Sequence, residues 1–199
     1  MTALDPARWV VERIGDGTAV IDTTVAHSGT RSVHVTQIGY NAFATLKGAG
    51  LFPSRFYVRV FLRLATPMTG GHNTYFIAGL AAMQGAPYES RIGVMNEMLM
   101  INQPQGDRGF LSNQNFYVDH LPGAVITAST WSCVEVLFDP GASTINVWLE
   151  DMPISDLNRT DWQQESFDVV RFGFERYAGP DSEIWYDDIA VGSQKIGCR

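Results

Sequence analysis

Apolar and polar residues alternate with a period of two along much of the chain. The clearest case is Phe56–Leu64, where four aliphatic residues fall on one face and two arginines and two aromatic residues on the other. Successive side chains of a strand point to opposite faces, so this pattern predicts a strand with one face in a core. Similar patterns predict further strands at 18–22, 32–36, 42–46, 74–81, 90–94, 97–101, 132–138, 144–149, 169–176 and 183–191.

Turn-forming residues separate these segments, as in His27-Ser28-Gly29 and Asp139-Pro140-Gly141. No segment has a sustained helical period, and the nearest, 160–166, predicts one short turn. Many short strands joined by turns are typical of a sandwich or barrel, and a chain of 199 residues is long enough for one. We therefore predict an all-β fold, a jelly-roll β-sandwich, with residues 1–199 forming a single domain.

Charge and hydropathy limit the partners. The formal net charge is −7, which repels a phosphate backbone, so we do not expect nucleic-acid binding. No apolar stretch approaches the ~20 residues that span a bilayer, so we expect no membrane partner. The absence of a Gly-x-Ser-x-Gly elbow and of a phosphate-binding loop argues against an esterase of the α/β-hydrolase type and against a nucleotide-hydrolysing enzyme.

The chain has two cysteines, Cys133 and Cys198. Two thiols are too few for a four-ligand zinc site, which leaves a disulfide or two separate buried thiols. A disulfide requires an oxidising compartment. Residues 1–6 lack the basic and apolar regions of a signal peptide, so the chain is either cytosolic or a processed form. The cysteines favour the second alternative, and we expect a secreted protein.

Several segments, in order along nearly the whole chain, resemble one family. They are DTTVAHSG at 22–29, FYVRVFLRL at 56–64, SRIG at 90–93, FGFERYAG at 172–179, WYDDIAV at 185–191 and IGC at 196–198. Together they resemble the secreted cellulose-induced proteins first known from cellulolytic fungi, which also have bacterial members. The resemblance implies a jelly roll related to alginate and glucuronan lyases and extracellular work on plant or microbial polysaccharide. It also implies a bound calcium ion and a Cys133–Cys198 disulfide.

The same resemblance places calcium ligands at Ser28, Arg31 and Asp187. Calcium takes about six to eight hard oxygens. The family uses a side-chain oxygen where this chain has Arg31, so only the Arg31 carbonyl could serve, and a further acidic ligand would fall at or before Met1. The alternative is that Asp187 and Asp188 face solvent or cap a turn.

For catalysis, the resemblance matches Arg91, Asp107 and Tyr177 to the family's site, with Glu89 where the family has histidine. A polysaccharide lyase must neutralise the uronate carboxylate, remove the C5 proton and protonate the leaving oxygen. An arginine fork suits the first task, and a tyrosine can serve as acid, base or both. We predict that Arg91 and Tyr177 act in these roles while Asp107 holds the arginine.

Further residues are expected to bind the sugar chain. Alternation puts Arg171 and Glu175 on one face of their strand, and Trp148 points away from its apolar neighbours, as an aromatic stacking platform would. The predicted substrate-binding residues are His72 and Asn73 on the loop after Gly70-Gly71, Glu89, Trp148, Arg171 and Glu175. Each also has an ordinary structural explanation, since ion pairs and packing use the same residue types.

Four functions remain open at this point. The first is a lyase for uronate-containing polysaccharide, and the second is a non-catalytic carbohydrate-binding module that assists cellulose degradation. A hydrolase would need two carboxylates from among Glu89, Glu97, Asp107 and Glu175, and a structural adhesion domain would need none. We expect a monomer whose partner is a polysaccharide or oligosaccharide.

Overall fold

Within the residues that the structure describes, fourteen strands form two antiparallel sheets of seven in this computed structural model. The described residues are 4–13, 16–37, 42–46, 52–69, 72–80, 89–103, 108–119, 122–164, 166–167, 169–175 and 181–199. The strands are β1 (Trp9–Arg13), β2 (Thr18–Asp22), β3 (Ser32–Gln37), β4 (Ala42–Leu46), β5 (Phe56–Leu64), β6 (His72–Leu80), β7 (Ser90–Met95), β8 (Met98–Gln103), β9 (Arg108–Leu111), β10 (Trp131–Asp139), β11 (Thr144–Leu149), β12 (Met152–Pro153), β13 (Val169–Glu175) and β14 (Ser182–Gly192). A four-residue helix, α1 (Phe116–Asp119), and a 3₁₀ turn at Ser155–Leu157 complete them.

The order of the strands confirms the predicted all-β jelly-roll sandwich. Sheet one has the order β1-β4-β13-β6-β7-β8-β9, and sheet two has the order β12-β11-β10-β5-β14-β3-β2. Strands distant in sequence lie side by side, as β4 and β13 do in sheet one and β5 and β14 in sheet two. Among the described residues no helix is long and apolar enough to cross a membrane.

The core lies between the sheets and fixes which face of each strand points outward. On β5 the five alternate residues from Phe56 to Leu64 are at most 1% exposed. Sheet one contributes Ile92 and Phe172 to the same apolar cluster, and sheet two contributes Val134 and Ile184. Each such side chain stabilises the fold by roughly 1.5–3 kcal/mol when it is removed from water.

The eleven strands predicted from alternation are confirmed, with bounds that differ by two residues or fewer. Three short strands were not predicted: β9 and β12 have only four and two residues, and the five residues of β1 do not alternate. The helical turn predicted at 160–166 is wrong, because residues 160–164 are not helical. Trp162 instead inserts into the core at 0% exposure, and its Nε1 donates a hydrogen bond of 2.9 Å to Ser90 Oγ.

The predicted disulfide between Cys133 and Cys198 is present. It ties the C-terminal segment to the outer face of sheet two. The fully buried Glu135 carboxylate on that face accepts hydrogen bonds from the backbone N–H groups of Ile196 and Gly197, at 2.6 and 3.0 Å. Gly197 has φ of +82°, a conformation that a residue with a Cβ seldom adopts.

Candidate functional site

A line of paired residues crosses the outer face of sheet one. Arg171 pairs with Ala78, Ala78 with Arg91, Arg91 with Asn102, and Asn102 with Gly109. We call this line the arginine row. Paired residues share a face of a sheet, and the chain neighbours of Arg91 and Arg171 point into the core. The two arginines therefore lie on the same outer face, and their strands are roughly 10 Å apart.

Arg91 is held in place by Glu89. Its Nη2 lies 2.9 Å from Glu89 Oε2, and the two side chains are only 9% and 12% exposed. Glu89 directly precedes β7 and lies two positions before Arg91, so the extended chain puts both side chains on one face. Asn102, also largely buried, stands beside Arg91 on the next strand. The structure thus brings the predicted residues Glu89 and Arg91 together as a buried ion pair, where an isolated surface pair would be worth little.

Arg171 has its own carboxylate partner. Its Nη2 lies 2.9 Å from Glu12 Oε2, and the side chains are 21% and 45% exposed. Glu12 comes from β1, the edge strand of sheet one. Each arginine of the row is therefore oriented by a glutamate from its own sheet.

Other predicted residues are located less fully. Asp107 and Tyr177 lie outside the described residues, and Tyr177 follows the end of β13 by two positions. The strand β6 begins at His72, so His72 and Asn73 belong to sheet one and not to the predicted loop, because His72 pairs with Met95 of β7. The side chains of His72, Asn73 and Glu175 are not described. The roles assigned to these residues stay predictions.

Trp148 lies on the other sheet. It pairs with Glu135 in β10, which pairs with Arg59 in β5, so it is on the outer face of sheet two. Its ring centroid is 6.0 Å from that of Tyr57, and the Lys195 Nζ is 5.4 Å from its ring. Trp148 therefore packs beside the C-terminal segment, and the structure does not bring it together with Arg91. Arg59, on the same face, is likewise remote from the arginine row.

One pair of carboxylates for a hydrolase is excluded by distance. Glu89 precedes β7 and Glu97 follows it, in the hairpin turn to β8. The six extended residues of β7 hold them about 20 Å apart. The carboxylates of glycoside hydrolases stand only ~5–9.5 Å apart, so Glu89 and Glu97 cannot act as such a pair.

Two aspartates of β14 bind the turn that contains Ser28. The Asp187 Oδ2 accepts hydrogen bonds from the backbone N–H groups of His27 and Ser28, at 2.7 and 3.1 Å. The Asp188 carboxylate meets His27 Nδ1 and Ser28 Oγ, each at 2.7 Å. Gly29, at φ +59°, lets the chain turn back at this point. These contacts join the turn to the middle of β14 on sheet two.

Asp188 has an unusual backbone and a shifted acidity. Its φ is +48°, at a break in the register with β5 between Asp187 and Ala190. The Arg59 Nη1 donates a hydrogen bond of 2.7 Å to the Asp188 carbonyl and supports this conformation. Burial raises the pKa of the Asp188 carboxyl, but the hydrogen bonds from His27 and Ser28 outweigh it, so the pKa lies below its usual value.

The carboxylates beside this turn are oxygen donors of the kind that calcium binds. Asp187 and Asp188 place two adjacent carboxylates, which are hard-oxygen donors, against the exposed turn that carries Ser28 and Arg31. A carboxylate has about four lone-pair sites, so its hydrogen bonds to N–H groups leave room for a cation. No group of three or more His, Cys, Asp or Glu side chains in the described part of the chain is arranged around one point. A cation here would therefore take most of its ligands from backbone carbonyls.

Sequence reasoning missed two residues of the site. Asn102 falls just beyond the predicted strand at 97–101, although the alternation that starts at Met98 continues to it. Glu12 lies on a five-residue strand whose pattern, Trp-Val-Val-Glu-Arg, has no clear period. Extending the strand predicted at 97–101 by one residue would have found Asn102. No local signal identifies Glu12.

Comparisons with known proteins place this geometry in a family. The family model described as the Cip1-like core domain, of the polysaccharide-lyase-like type, matches residues 3–194. No curated protein sequence matches the chain. Among solved structures, the cellulose-induced protein Cip1 superposes with a TM-score of 0.83 at 26% identity, over 98% of this chain and 96% of that one.

Two further solved structures share the fold alone. An endo-β-1,4-glucuronan lyase from the fungus Trichoderma reesei gives a TM-score of 0.70 at 16% identity, over 97% of this chain and 93% of that one. A structure of botulinum neurotoxin type C, described as entering cells by interaction with two ganglioside molecules, gives 0.60 at 9% identity, over 91% of this chain and 43% of that one. Because the family model covers nearly the whole sequence, this chain belongs to the Cip1-like core-domain family of polysaccharide-lyase-like, carbohydrate-active proteins.

Proposed function

We propose that this protein cleaves a uronate-containing polysaccharide by β-elimination on the outer face of sheet one. The observation that carries the proposal is the arginine row, in which Arg91 and Arg171 share one face on strands roughly 10 Å apart. Guanidinium groups bind carboxylates bidentately. An extended acidic glycan lying across the strands would meet both arginines, about one disaccharide apart.

In this proposal Arg91 binds the carboxylate of the sugar that loses its C5 proton. Neutralising that carboxylate stabilises the negative charge that develops when the C5–H bond breaks. Glu89 orients the guanidinium through their 2.9 Å contact. Asn102, on the adjacent strand, is placed to hydrogen-bond a hydroxyl of the same sugar.

The proton transfers fall to the predicted residues beyond β13 and β8. Tyr177 removes the C5 proton and delivers it to the leaving C4 oxygen, while Asp107 holds the arginine. The C5–H and C4–O bonds break, a C4–C5 double bond forms, and the proton ends on the new chain end. Arg171 holds a second carboxylate of the same glycan and keeps the chain in register.

The wider setting supports an acidic, extracellular substrate. A relative in fold is described as a glucuronan lyase, and the Cys133–Cys198 disulfide fits an oxidising compartment. We infer secretion and work on cell-wall polysaccharide from these two observations.

A polymer panel tests the proposal. The protein is incubated with β-1,4-glucuronan, with alginate, with carboxyl-reduced glucuronan and with cellulose, and the ultraviolet absorbance of the C4–C5 double bond is followed. We expect product from at least one polyuronate and none from the carboxyl-reduced polymer, which keeps the backbone but lacks the charge. Binding to each polymer is measured in parallel.

Two outcomes would contradict it. Saturable binding without a rise in absorbance on any polyuronate would make the protein a carbohydrate-binding module, the second function considered. If the protein shows no binding to any polymer and no rise in absorbance, the arginine row has no glycan function.

We also propose that calcium binds at the turn on sheet two. Asp187 would supply a carboxylate and the backbone carbonyls of Ser28 and Arg31 would supply further oxygens. The ion would offset the adjacent negative charges of Asp187 and Asp188 and so stabilise the contact between the turn and β14. Its position on sheet two gives it a structural role.

Chelation tests this site without an activity assay. A ligand that binds only the folded state stabilises it, by about 2.7 kcal/mol at a hundredfold excess over Kd, so we expect EGTA to lower the wild-type Tm by roughly 5 °C relative to calcium. Asp187→Asn is expected to remove this response, whereas Asp16→Asn, at an exposed position, is expected to keep it. Equal wild-type Tm values in calcium and in EGTA would refute the site.

A further inference from the structure

The arginine row ends beside a wall built by residues 112–119 and 122–125. The row reaches Gly109 in β9, the edge strand of sheet one. On the same outer face as Asn102, Met98 and Met100 form an apolar cluster with Leu111. Phe116 packs onto this cluster. Residues 112–119 and 122–125 therefore cover the outer face at the β8–β9 end, next to the row.

Hydrogen bonds fix both ends of this wall. The Ser112 N–H donates to the Leu99 carbonyl at 2.9 Å, and the Leu99 N–H donates to the Ala124 carbonyl at 2.8 Å. The Ala124 N–H donates to Ser112 Oγ at 2.9 Å, which joins the two ends to each other. The Gln114 N–H donates to Asp156 Oδ2 at 3.1 Å. These hydrogen bonds fix the backbone of the wall relative to sheet one, and so fix where its side chains lie.

The wall exposes an aromatic ring. Of the four large apolar side chains in the described part of the chain that are more than a third exposed, two are neighbours in α1: Tyr117 at 62% and Val118 at 83%. The Phe116 ring meets the Tyr117 ring edge-on, with centroids 5.5 Å apart, which restrains the exposed ring. Nothing about the packing of the wall requires Tyr117 to be aromatic, since Phe116 makes the contact with the cluster.

We propose that Tyr117 is a sugar-stacking residue of a distal subsite, on which a long glycan rests after it crosses the arginine row. This inference depends on the proposed function. Aromatic faces bind the apolar C–H surface of a sugar ring, whereas the arginines bind its carboxylate. A chain that runs across the strands from Arg171 through Arg91 and Asn102 is directed toward this end of sheet one. Tyr117 would then favour long chains over short ones.

Calorimetric titration with β-1,4-glucuronan oligosaccharides of increasing length tests this role. Tyr117→Ala is expected to weaken binding of an octasaccharide by about tenfold, the effect of one aromatic contact, and to leave disaccharide binding unchanged. Tyr117→Phe is expected to keep the wild-type affinity for every length. Val118→Ala, the exposed neighbour, serves as the matched control and is expected to have no effect.

The outcomes separate the two proposals. If the wild type binds the oligosaccharides and Tyr117→Ala binds all lengths equally well, the role of Tyr117 is refuted and the arginine row stands. An equal loss for the disaccharide and the octasaccharide would also refute it, because the subsite would not be distal. A wild type that binds no length would refute the proposed function and the Tyr117 subsite together.

Discussion

Replacing Cys133 and Cys198 by alanine is expected to lower the free energy of unfolding by about 4 kcal/mol. The disulfide closes a loop with a sequence separation of 65 residues, and the loss of that constraint on the unfolded chain gives this value in the chain-entropy model. Domains of this kind have only about 5–15 kcal/mol of stability in total. Equilibrium unfolding in urea measures the change, and a decrease in Tm of roughly 10 °C should accompany it.

Reductant provides the matched control. Dithiothreitol should destabilise the wild type by the same amount and leave the double variant unaffected. The contacts of Glu135 with Ile196 and Gly197 remain in the variant, so the C-terminal segment should stay bound in the folded state. A double variant within about 1 kcal/mol of the oxidised wild type would show that these contacts alone hold the segment.

Arg91→Lys is expected to reduce kcat/KM on a polyuronate by about a hundredfold while the protein stays folded. Lysine keeps the positive charge beside Glu89 but lacks the planar fork that binds a carboxylate through two parallel hydrogen bonds. The variant stabilises the charge that develops in the transition state less well, and removing one well-placed donor of this kind costs about 10²–10³ in rate. Initial rates of double-bond formation measure it.

The choice of lysine matters because Arg91 and Glu89 are both buried. Arg91→Ala would break the buried ion pair with Glu89, at a cost of about 3–5 kcal/mol in stability, so lost activity could reflect unfolding. Arg55→Lys is the control, since Arg55 is half-exposed and pairs with Asp139 on sheet two. An Arg91→Lys variant that cleaves as fast as the wild type would remove Arg91 from the mechanism.

The main strands and their faces could be predicted from the sequence because burial imposes a period of two over long segments. β5 shows this best, since its alternate aliphatic residues all reach the core. The local pattern also explained why Glu89 and Arg91 meet, since Glu89 lies two positions before Arg91 at the start of β7. The two cysteines favoured a disulfide but left two separate thiols open, and the family resemblance strengthened the prediction, which the Cys133–Cys198 bond confirms.

The composition of the site could not be predicted in the same way, because it depends on which strands are neighbours. Trp148 and Arg91 both point outward from their strands, but alternation does not say that β11 and β7 belong to different sheets. Conversely, Arg171 and Arg91 are 80 positions apart in the chain, and only the pairing of β13 with β6 and of β6 with β7 places them in one row. Glu12 joined the site through β1, a strand whose residues do not alternate.

The attachment of the C-terminal segment to sheet two has a practical consequence for handling the protein. Cys198 is bonded to Cys133 on the face of the sandwich opposite to the arginine row. A biosensor chip or resin coupled through Arg199 would therefore lie against sheet two and leave the outer face of sheet one toward the flowing solution. Immobilisation in that orientation should leave access for a polymer much longer than the domain.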